Sequence, residues 1–307
     1  CSLVGSEMCI RDRFTDNDWT DGLRPNGREI YFRVGERKLN AWQTVVAYCE
    51  SITDLNYSLS PNYADNFSVF NESSGENIFT IPMDKNLYTS QMQYLFRSRH
   101  YNHAKAYGLG GENGSCATIE ALRVFAYGTD SVDTRFYENY YADTMFDLNG
   151  DTIRLDNGTP LVYLPLEARL DLSRLPAEKT AGARMKKYEI DKMGTKDGKL
   201  SDNDIVLFRY ADVLLMRSEA KVRNGENGDE ELNAVRFRVG MLPRKATLEN
   251  ILAERQLELA WEGWRRQDLV RFGKFTRPYT DRPQLPHESN CLLYTSPSPR
   301  DCSYSRM

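Results

Sequence analysis

The chain has 307 residues, with 40 lysines and arginines against 44 aspartates and glutamates, and a formal net charge of −4. Charges this close to balance indicate no polyanionic partner, so we expect no nucleic acid to bind. No apolar run reaches the roughly 18 residues that a membrane-spanning helix needs. The 18 tyrosines, 13 phenylalanines and 4 tryptophans are typical of many secreted binding proteins.

The two ends of the chain encode one DNA element in opposite orientations. A back-translation of LVGSEMCIRDR (Leu3–Arg13), read as its reverse complement, gives CLLYTSPSPR, which is Cys291–Arg300. The element resembles a sequencing-library adapter, so we expect residues 1–13 and 291–307 to be adapter-derived, not native, and to pack poorly. Cys1 is then no evidence for a lipid anchor, and we expect the gene to continue past both ends.

Residues 14–290 contain two cysteines, Cys49 and Cys116, which form neither a disulfide framework nor a metal-ligand set. Within this part, four segments have the apolar spacing of helices. These predicted helices are Lys38–Leu55, Asp204–Asn224, Glu230–Val239 and the run from Thr247 to Phe275.

The region between the first two helices is polar and irregular. Asn77–Ile81 reads as a short strand, and NG and DNG turns predict one or two hairpins within Met145–Leu166. Asp147–Asp151 (DLNGD) has the start of a calcium loop but lacks its later glutamate, so a hairpin turn is favoured. For Tyr137–Phe146, packing is favoured over a second aromatic platform.

The last predicted helix carries Glu254, Glu258 and Glu262 on one face. At about 100° per residue, Arg255, Arg265 and Arg266 fall in the same arc, at spacings where side chains on one helix meet. A catalytic set would need two carboxylates with separated pKa values facing a cleft. No histidine lies in this run for a di-metal site, so structural ion pairing is the favoured interpretation.

Three stretches resemble the C-terminal helices of the SusD/RagB family in order, spacing and identity. They are RYADVLLMRSEAKVRNG (Arg209–Gly225), LNAVRFRVG (Leu232–Gly240) and ILAERQLELAWEGWRRQDLVRFGKF (Ile251–Phe275). Tyr48–Pro82 is similar to the family's helix–loop–strand segment. The resemblance divides the chain into an incomplete SusD-like domain at 14–275, with a loop-rich insertion at about 58–200, and a proline-rich linker at 276–290.

The resemblance implies a mainly α fold of tetratricopeptide-like helix pairs, with an irregular insertion of loops and short hairpins. It implies a lipoprotein on the outer-membrane surface, anchored through an N-terminal part that this chain lacks. Such proteins work with a TonB-dependent, SusC-like transporter and capture oligosaccharides, or in some members peptides, for uptake. They are not enzymes and need no cofactor, so no catalytic residue is expected.

The candidate ligand-binding loop is Leu87–Gly108, which is rich in tyrosine, arginine, histidine and asparagine. Aromatic faces stack on sugar rings, while amides and guanidinium groups bond to hydroxyls. The residues predicted to face the ligand are Tyr94, Arg97, Tyr101, His103 and Tyr107. The alternative is a surface loop pinned by ordinary tyrosines. No Cys, Asp or Glu is close enough to His100 and His103 to complete a metal site, so no metal is expected.

Two other functions stay open. A helical-repeat scaffold for protein partners is the second hypothesis, because repeat folds are general interaction surfaces. A glycoside hydrolase is the third, and it would need a carboxylate pair across a cleft. For the scaffold, we expect Asp204–Asn224 and Ile251–Arg266 to be neighbours that bury Trp261 or Trp264 against Leu214 and Leu215.

Overall fold

The computed structural model describes residues 26–87, 98–113, 115–169, 172, 175–275 and 277–278. The helices of this part are α1 (Ala41–Thr53), α2 (Tyr101–Ala106), α3 (Ile119–Val124), α4 (Phe136–Asn139), α5 (Tyr210–Arg223), α6 (Asp229–Arg238), α7 (Leu248–Glu258) and α8 (Arg265–Arg271). Its strands are β1 (Tyr31–Val34), β2 (Arg37–Asn40), β3 (Asn77–Ile81), β4 (Tyr140–Tyr141), β5 (Asp143–Thr144), β6 (Val162–Tyr163), β7 (Arg184–Met185) and β8 (Ile205–Arg209). The predicted adapter-derived ends lie outside the described residues.

Helices dominate this architecture. The four long helices have 10 to 14 residues, whereas the longest described strands have five. The described strands form antiparallel pairs, β1 with β2, β3 with β8, β4 with β7 and β5 with β6. The predicted mainly α class is confirmed, and none of the described helices is both long and apolar enough to cross a membrane.

The main core lies between α1, α5, α6 and α7. Its fully buried members include Trp42, Val45, Leu215, Leu232, Val235 and Ile251. Burying a side chain of this size contributes about 1.5–3 kcal/mol, so this cluster is a large part of the stabilisation. The first predicted helix is confirmed, but it begins at Ala41 because Asn40 and Gln43 form a capping box and the preceding residues belong to β2.

The second predicted helix, Asp204–Asn224, is wrong over its first turn. Ile205–Arg209 is a strand, β8, and its partner is β3, which the sequence did predict over Asn77–Ile81. A short buried apolar run suits a strand as well as a helix, and here pairing with β3 decides between them. The third predicted helix is confirmed as α6, one residue earlier at each end.

The fourth predicted helix is not continuous. The segment from Leu259 to Trp264 separates α7 from α8, and both Trp261 (φ 65°) and Gly263 (φ 85°) have left-handed backbone conformations. A helix cannot continue through such residues. A single helical wheel over this run is therefore wrong beyond Glu258, and Gly263 was the overlooked signal.

The two tryptophans of this segment lie away from the main core. The Trp261 ring packs 5.7 Å from the Tyr140 ring, and its indole nitrogen donates to the carbonyl oxygen of Asn139 at 3.1 Å. The Trp264 ring lies 5.8 Å from that of Phe208. Their predicted packing against Leu214 and Leu215 is wrong, although α5 and α7 are neighbours as expected.

The predicted hairpin region is confirmed. Beyond the β5–β6 pair, antiparallel bridges join Phe146 to Thr152 and Arg154 to Pro160. The Asp147 carboxylate accepts from the backbone nitrogens of Asn149 (2.8 Å) and Asp151 (2.9 Å), which is the bonding of a turn. We refer to residues 143–163 as the hairpin unit.

Candidate functional site

Glu258, the last residue of α7, is fully buried among three arginines. Its carboxylate lies 2.8 Å from Arg135 Nη1 and 2.5 Å from Arg209 Nη1, and it also pairs with Arg238. Burial alone would raise the pKa of this carboxyl, but the guanidinium groups of Arg238, Arg209 and Arg135 hold the pKa well below its usual value. A permanently ionised, enclosed carboxylate is not available as a general acid.

Glu254 and Glu262 are also enclosed by cations. Glu254 bonds to Arg135 at 2.7 Å and to Arg236 at 2.6 Å. Glu262 bonds to Lys187 at 2.6 Å and to Arg209 at 2.9 Å. Structural ion pairing is therefore confirmed for all three glutamates of this segment.

The predicted partners within one helix are wrong. Arg255 pairs with Asp212 of α5 at 2.6 Å and with Asp268 of α8 at 2.9 Å, rather than with Glu258. The Arg265 guanidinium donates to the carbonyl oxygen of Leu252 at 2.9 Å. Arg255 therefore connects α7 to α5 and α8, and Arg265, which lies beyond the end of α7, bonds back to that helix.

A groove of about 610 Å³ lies between α3 and α8 and is lined mainly by apolar and arginine side chains. Glu120 is the one carboxylate among its lining residues. Glycoside hydrolysis needs two carboxyl groups on opposite sides of the bond that breaks. The described residues that line this groove do not provide that pair.

The predicted ligand-binding loop contains a helix that the sequence did not indicate. α2 begins after His100, whose Nδ1 accepts from the backbone nitrogen of Asn102 at 3.1 Å. Tyr101 is 58% exposed on this helix. Two of the predicted ligand residues, Tyr94 and Arg97, lie outside the described residues.

Tyr107, at the end of α2, is half-buried. Its hydroxyl donates to the carbonyl oxygen of Phe146 at 2.9 Å, which ties the helix to the hairpin unit. Burial raises the pKa of the Tyr107 hydroxyl, so the hydroxyl stays protonated and available as a donor at neutral pH.

His103, one of the predicted ligand residues, is completely buried in the described part of the chain. Its Nδ1 lies 3.0 Å from the Tyr163 hydroxyl, and its ring packs 4.7 Å from Tyr141 and 5.0 Å from Tyr107. Burial, together with the nearby positive charge of Arg99, lowers the pKa of His103 to about 3. The imidazole is thus a neutral packing group beneath the surface that Tyr101 occupies.

The hairpin unit contributes groups that the sequence did not connect with this loop. The Asn102 amide donates to the Arg154 carbonyl oxygen at 2.9 Å and to Asp156 Oδ1 at 3.0 Å. Phe146 and Leu148 of the same unit are at least half exposed. We define the α2–hairpin face as Tyr101, Asn102, Tyr107, Phe146 and Asp156. It combines exposed aromatic rings with amide and carboxylate oxygens.

The sequence alone could not have brought these residues together, because the contacts between α2 and the hairpin unit join residues 39 to 54 positions apart. Among the residues that the structure describes, no group of three or more His, Cys, Asp or Glu side chains is arranged to hold a metal ion. The face is thus suited to non-covalent recognition through stacking and hydrogen bonds.

The SusD family model matches residues 75–296, well over half of the chain. This chain belongs to the SusD family. It is 36% identical over 91 residues to the starch-binding protein SusD of Bacteroides thetaiotaomicron, which is 29% of this chain and 16% of that protein. It is 40% identical over 91 residues to the SusD-like protein P38 of Formosa agariphila, covering 24% of this chain and 18% of that protein.

Solved SusD-like structures share the fold of this SusD-family chain. Surface glycan-binding protein A from Bacteroides thetaiotaomicron is 22% identical, with a TM-score of 0.57 over 81% of this chain and 55% of that one. Surface glycan-binding protein A from Bacteroides uniformis is 19% identical, with a TM-score of 0.56 over 79% of this chain and 47% of that one. The chain spans about half the length of these structures. The tetratricopeptide-like pairing of its helices stays an implication of the family resemblance.

Proposed function

We propose that this SusD-family chain is part of a cell-surface protein that binds oligosaccharides for uptake and does not cleave them. The observation that carries the proposal is the α2–hairpin face, where the exposed Tyr101 ring and the Asn102 amide belong to one helix that is fixed to a hairpin. Family membership supports the same function. The relatives include a protein named for starch binding and a glycan-binding protein solved with laminarihexaose.

The face is suited to sugars because its groups are held in place before the ligand arrives. Asn102 and Tyr107 both bond to the hairpin unit, so α2 does not have to be ordered on binding. A sugar ring presents an apolar face to an aromatic ring and hydroxyls to amide and carboxylate oxygens. We propose that Tyr101 stacks on the sugar, and Tyr94 and Arg97 stay predicted ligand residues.

Binding without hydrolysis is proposed because the three glutamates that were candidates for a catalytic set are all held in ion pairs. Glu254, Glu258 and Glu262 are each enclosed by at least two cationic side chains. A catalytic acid needs a raised pKa and access to substrate. The pKa of Glu258 is shifted in the opposite direction.

We further propose that the protein acts on the outside of the outer membrane beside a TonB-dependent, SusC-like transporter. The family resemblance supports this location and this partner, together with anchoring by a lipid. Peptides are the alternative ligand class that the same resemblance allows.

Calorimetry with a panel of neutral oligosaccharides tests the proposal, with the sugars analysed by chromatography afterwards. We expect saturable binding of at least one oligosaccharide and recovery of that sugar with its original length. Binding of none of the sugars would contradict the proposed ligand class. Shortened sugar products would overturn the proposal that the protein is not an enzyme.

A further inference from the structure

Arg99 is a buried cation that lacks a counter-ion. It is 5% exposed, its guanidinium lies 5.9 Å from the centre of the Tyr141 ring, and its Nε has no hydrogen-bond partner. No carboxylate of the described residues forms an ion pair with it. Contact with an aromatic face compensates only part of the cost of removing a guanidinium from water.

Three fully buried arginines differ from Arg99 in this respect. Arg135, Arg209 and Arg255 each bond to at least two carboxylates. Arg184 is also buried without an ion pair, but its guanidinium donates to the carbonyl oxygens of Lys179, Ala181 and Gly182. Among the buried arginines that the structure describes, Arg99 is the one whose guanidinium has neither an ion pair nor a hydrogen bond. A positive charge left unpaired inside a protein is expected where a negatively charged ligand completes the pairing.

Arg99 lines a small pocket of about 50 Å³. A single water molecule needs a cavity of about 10–15 Å³, so the pocket has room for a carboxylate group. Leu109, Tyr188 and Ser201 line other parts of its wall. The pocket is thus a cavity of the right size with an unpartnered donor in its lining.

Three acidic residues also line the pocket and bear on which ligand it accepts. Asp191 is engaged by Lys85 at 3.4 Å and by the backbone nitrogens of Met193 and Asp202 at 2.8 and 3.2 Å. Glu189 accepts from the backbone nitrogen of Val69 at 2.9 Å. Asp197 is exposed. Lys85 thus offsets the charge of Asp191, and Glu189 accepts one backbone hydrogen bond, but none of the three carboxylates forms an ion pair with Arg99.

The pocket is linked to the α2–hairpin face by packed rings. The Arg99 guanidinium lies against Tyr141, whose ring packs edge-on against His103 of α2 at 4.7 Å. Arg99 also precedes Tyr101 by two residues in the chain. The Tyr141 and His103 rings thus connect the Arg99 guanidinium to the helix that carries Tyr101.

We propose that the Arg99 pocket binds a carboxylate carried by a sugar ring, so that the protein prefers acidic glycans, such as those containing hexuronic acids, over neutral ones. This inference rests on the proposed glycan binding. The planar guanidinium fork matches the two oxygens of a carboxylate, and such charge-assisted pairs are about twice as strong as neutral hydrogen bonds. The small volume favours a planar carboxylate over a bulkier sulfate ester.

The first test compares two ligands that differ only in charge, an oligogalacturonide and its methyl ester. By calorimetry, the wild-type protein is expected to bind the acid about tenfold more tightly, in keeping with hydrogen bonds to charged groups. Arg99→Gln removes this preference while keeping the affinity for the ester, and Arg99→Lys keeps only part of it. The control Arg244→Gln, which removes an exposed arginine, leaves the preference unchanged. Equal affinities in the wild type, or an unchanged preference in Arg99→Gln, would overturn the proposal.

Arg99→Gln is expected to fold with an unchanged or higher Tm, because it removes a buried charge that has no partner.

The second test follows the Arg99 Nε–H resonance by NMR during titration with free glucuronate, glucose, sulfate and a short peptide with a free C-terminal carboxylate. We expect glucuronate alone to shift the resonance at low millimolar concentration. A stronger response to the peptide or to sulfate, or none to glucuronate, would overturn the assignment. This titration does not depend on oligosaccharide binding, so it separates failure of the pocket from failure of the proposed function.

Discussion

Arg209 and Glu258 join the end of a strand to the end of a helix. Arg209 Nη1 lies 2.5 Å from Glu258 Oε1, and Arg209 Nη2 lies 2.7 Å from the Glu258 carbonyl oxygen. The same guanidinium reaches Glu262 beyond the end of α7, with Nε 2.9 Å from Oε2. Arg209 therefore fixes both the last residue of α7 and the segment where the chain leaves the helix. The charged residues of this segment hold the fold together.

Removal of the Glu258 charge is expected to destabilise the fold strongly. Glu258→Gln leaves Arg135, Arg209 and Arg238 short of a buried counter-charge, and breaking such pairs costs about 3–5 kcal/mol. Urea denaturation should show this loss in the free energy of unfolding. Glu249→Gln is the matched control on the exposed face of α7 and should change stability by less than about 0.5 kcal/mol. Equal effects of the two substitutions would show that the network does not stabilise the fold.

The break between α7 and α8 predicts a purely conformational effect at Gly263. A Cβ at this position would meet nothing within 4 Å, but φ is 85°, a conformation that costs other residues about 1–2 kcal/mol. Gly263→Ala should lower the free energy of unfolding by that amount. Gly75 is also open but has no positive φ, so Gly75→Ala should be neutral or slightly stabilising. A neutral Gly263→Ala would mean that α7 continues into α8.

Buried His103 is expected to make the folded protein less stable at acidic pH. Burial and the Arg99 charge lower its pKa in the folded state from 6.5 to about 3. As the pH falls, the unfolded chain therefore takes up the proton before the folded protein does. The contribution of neutral His103 to the free energy of unfolding is fully present above pH 6.5 and is lost below it. At pH 4 the loss is about 3 kcal/mol.

NMR titration of the His103 imidazole is the direct check on this pKa. Its resonances should show no midpoint between pH 4 and 8. In denaturation experiments, His103→Gln should reduce the loss of stability between pH 6.5 and 4 relative to the wild type. A midpoint near 6.5 would contradict the buried, neutral assignment.

The sequence predicted those elements whose signals are local. The strand Asn77–Ile81, the helix α6 and the hairpin turn at Asp147 each have their determinants within a few residues. The family resemblance was readable for the same reason, since Arg209–Gly225 and Ile251–Phe275 are contiguous stretches. Apolar periodicity did not distinguish the strand β8 from the first turn of a helix, because that choice depends on β3, more than 100 residues earlier.

The candidate site was only partly predictable. Composition identified the segment that contains Tyr101 and Tyr107, but it could not show that His103 on the same short helix faces inward. Which side of α2 is buried is set by Tyr141 and Tyr163, which come from other strands. The unpaired state of Arg99 was equally hidden, because it depends on which carboxylates the fold brings near.

Calorimetry with Tyr101→Ala is the most direct test of the central claim, that the α2–hairpin face binds glycans. Loss of one stacking ring should weaken binding of the best oligosaccharide by about 1 kcal/mol, or roughly fivefold. Tyr137→Ala removes a similarly exposed tyrosine from α4 and should leave the affinity unchanged. The account predicts weaker binding in Tyr101→Ala alone. Equal affinities for the wild type and both variants would contradict it and place the glycan elsewhere on the protein.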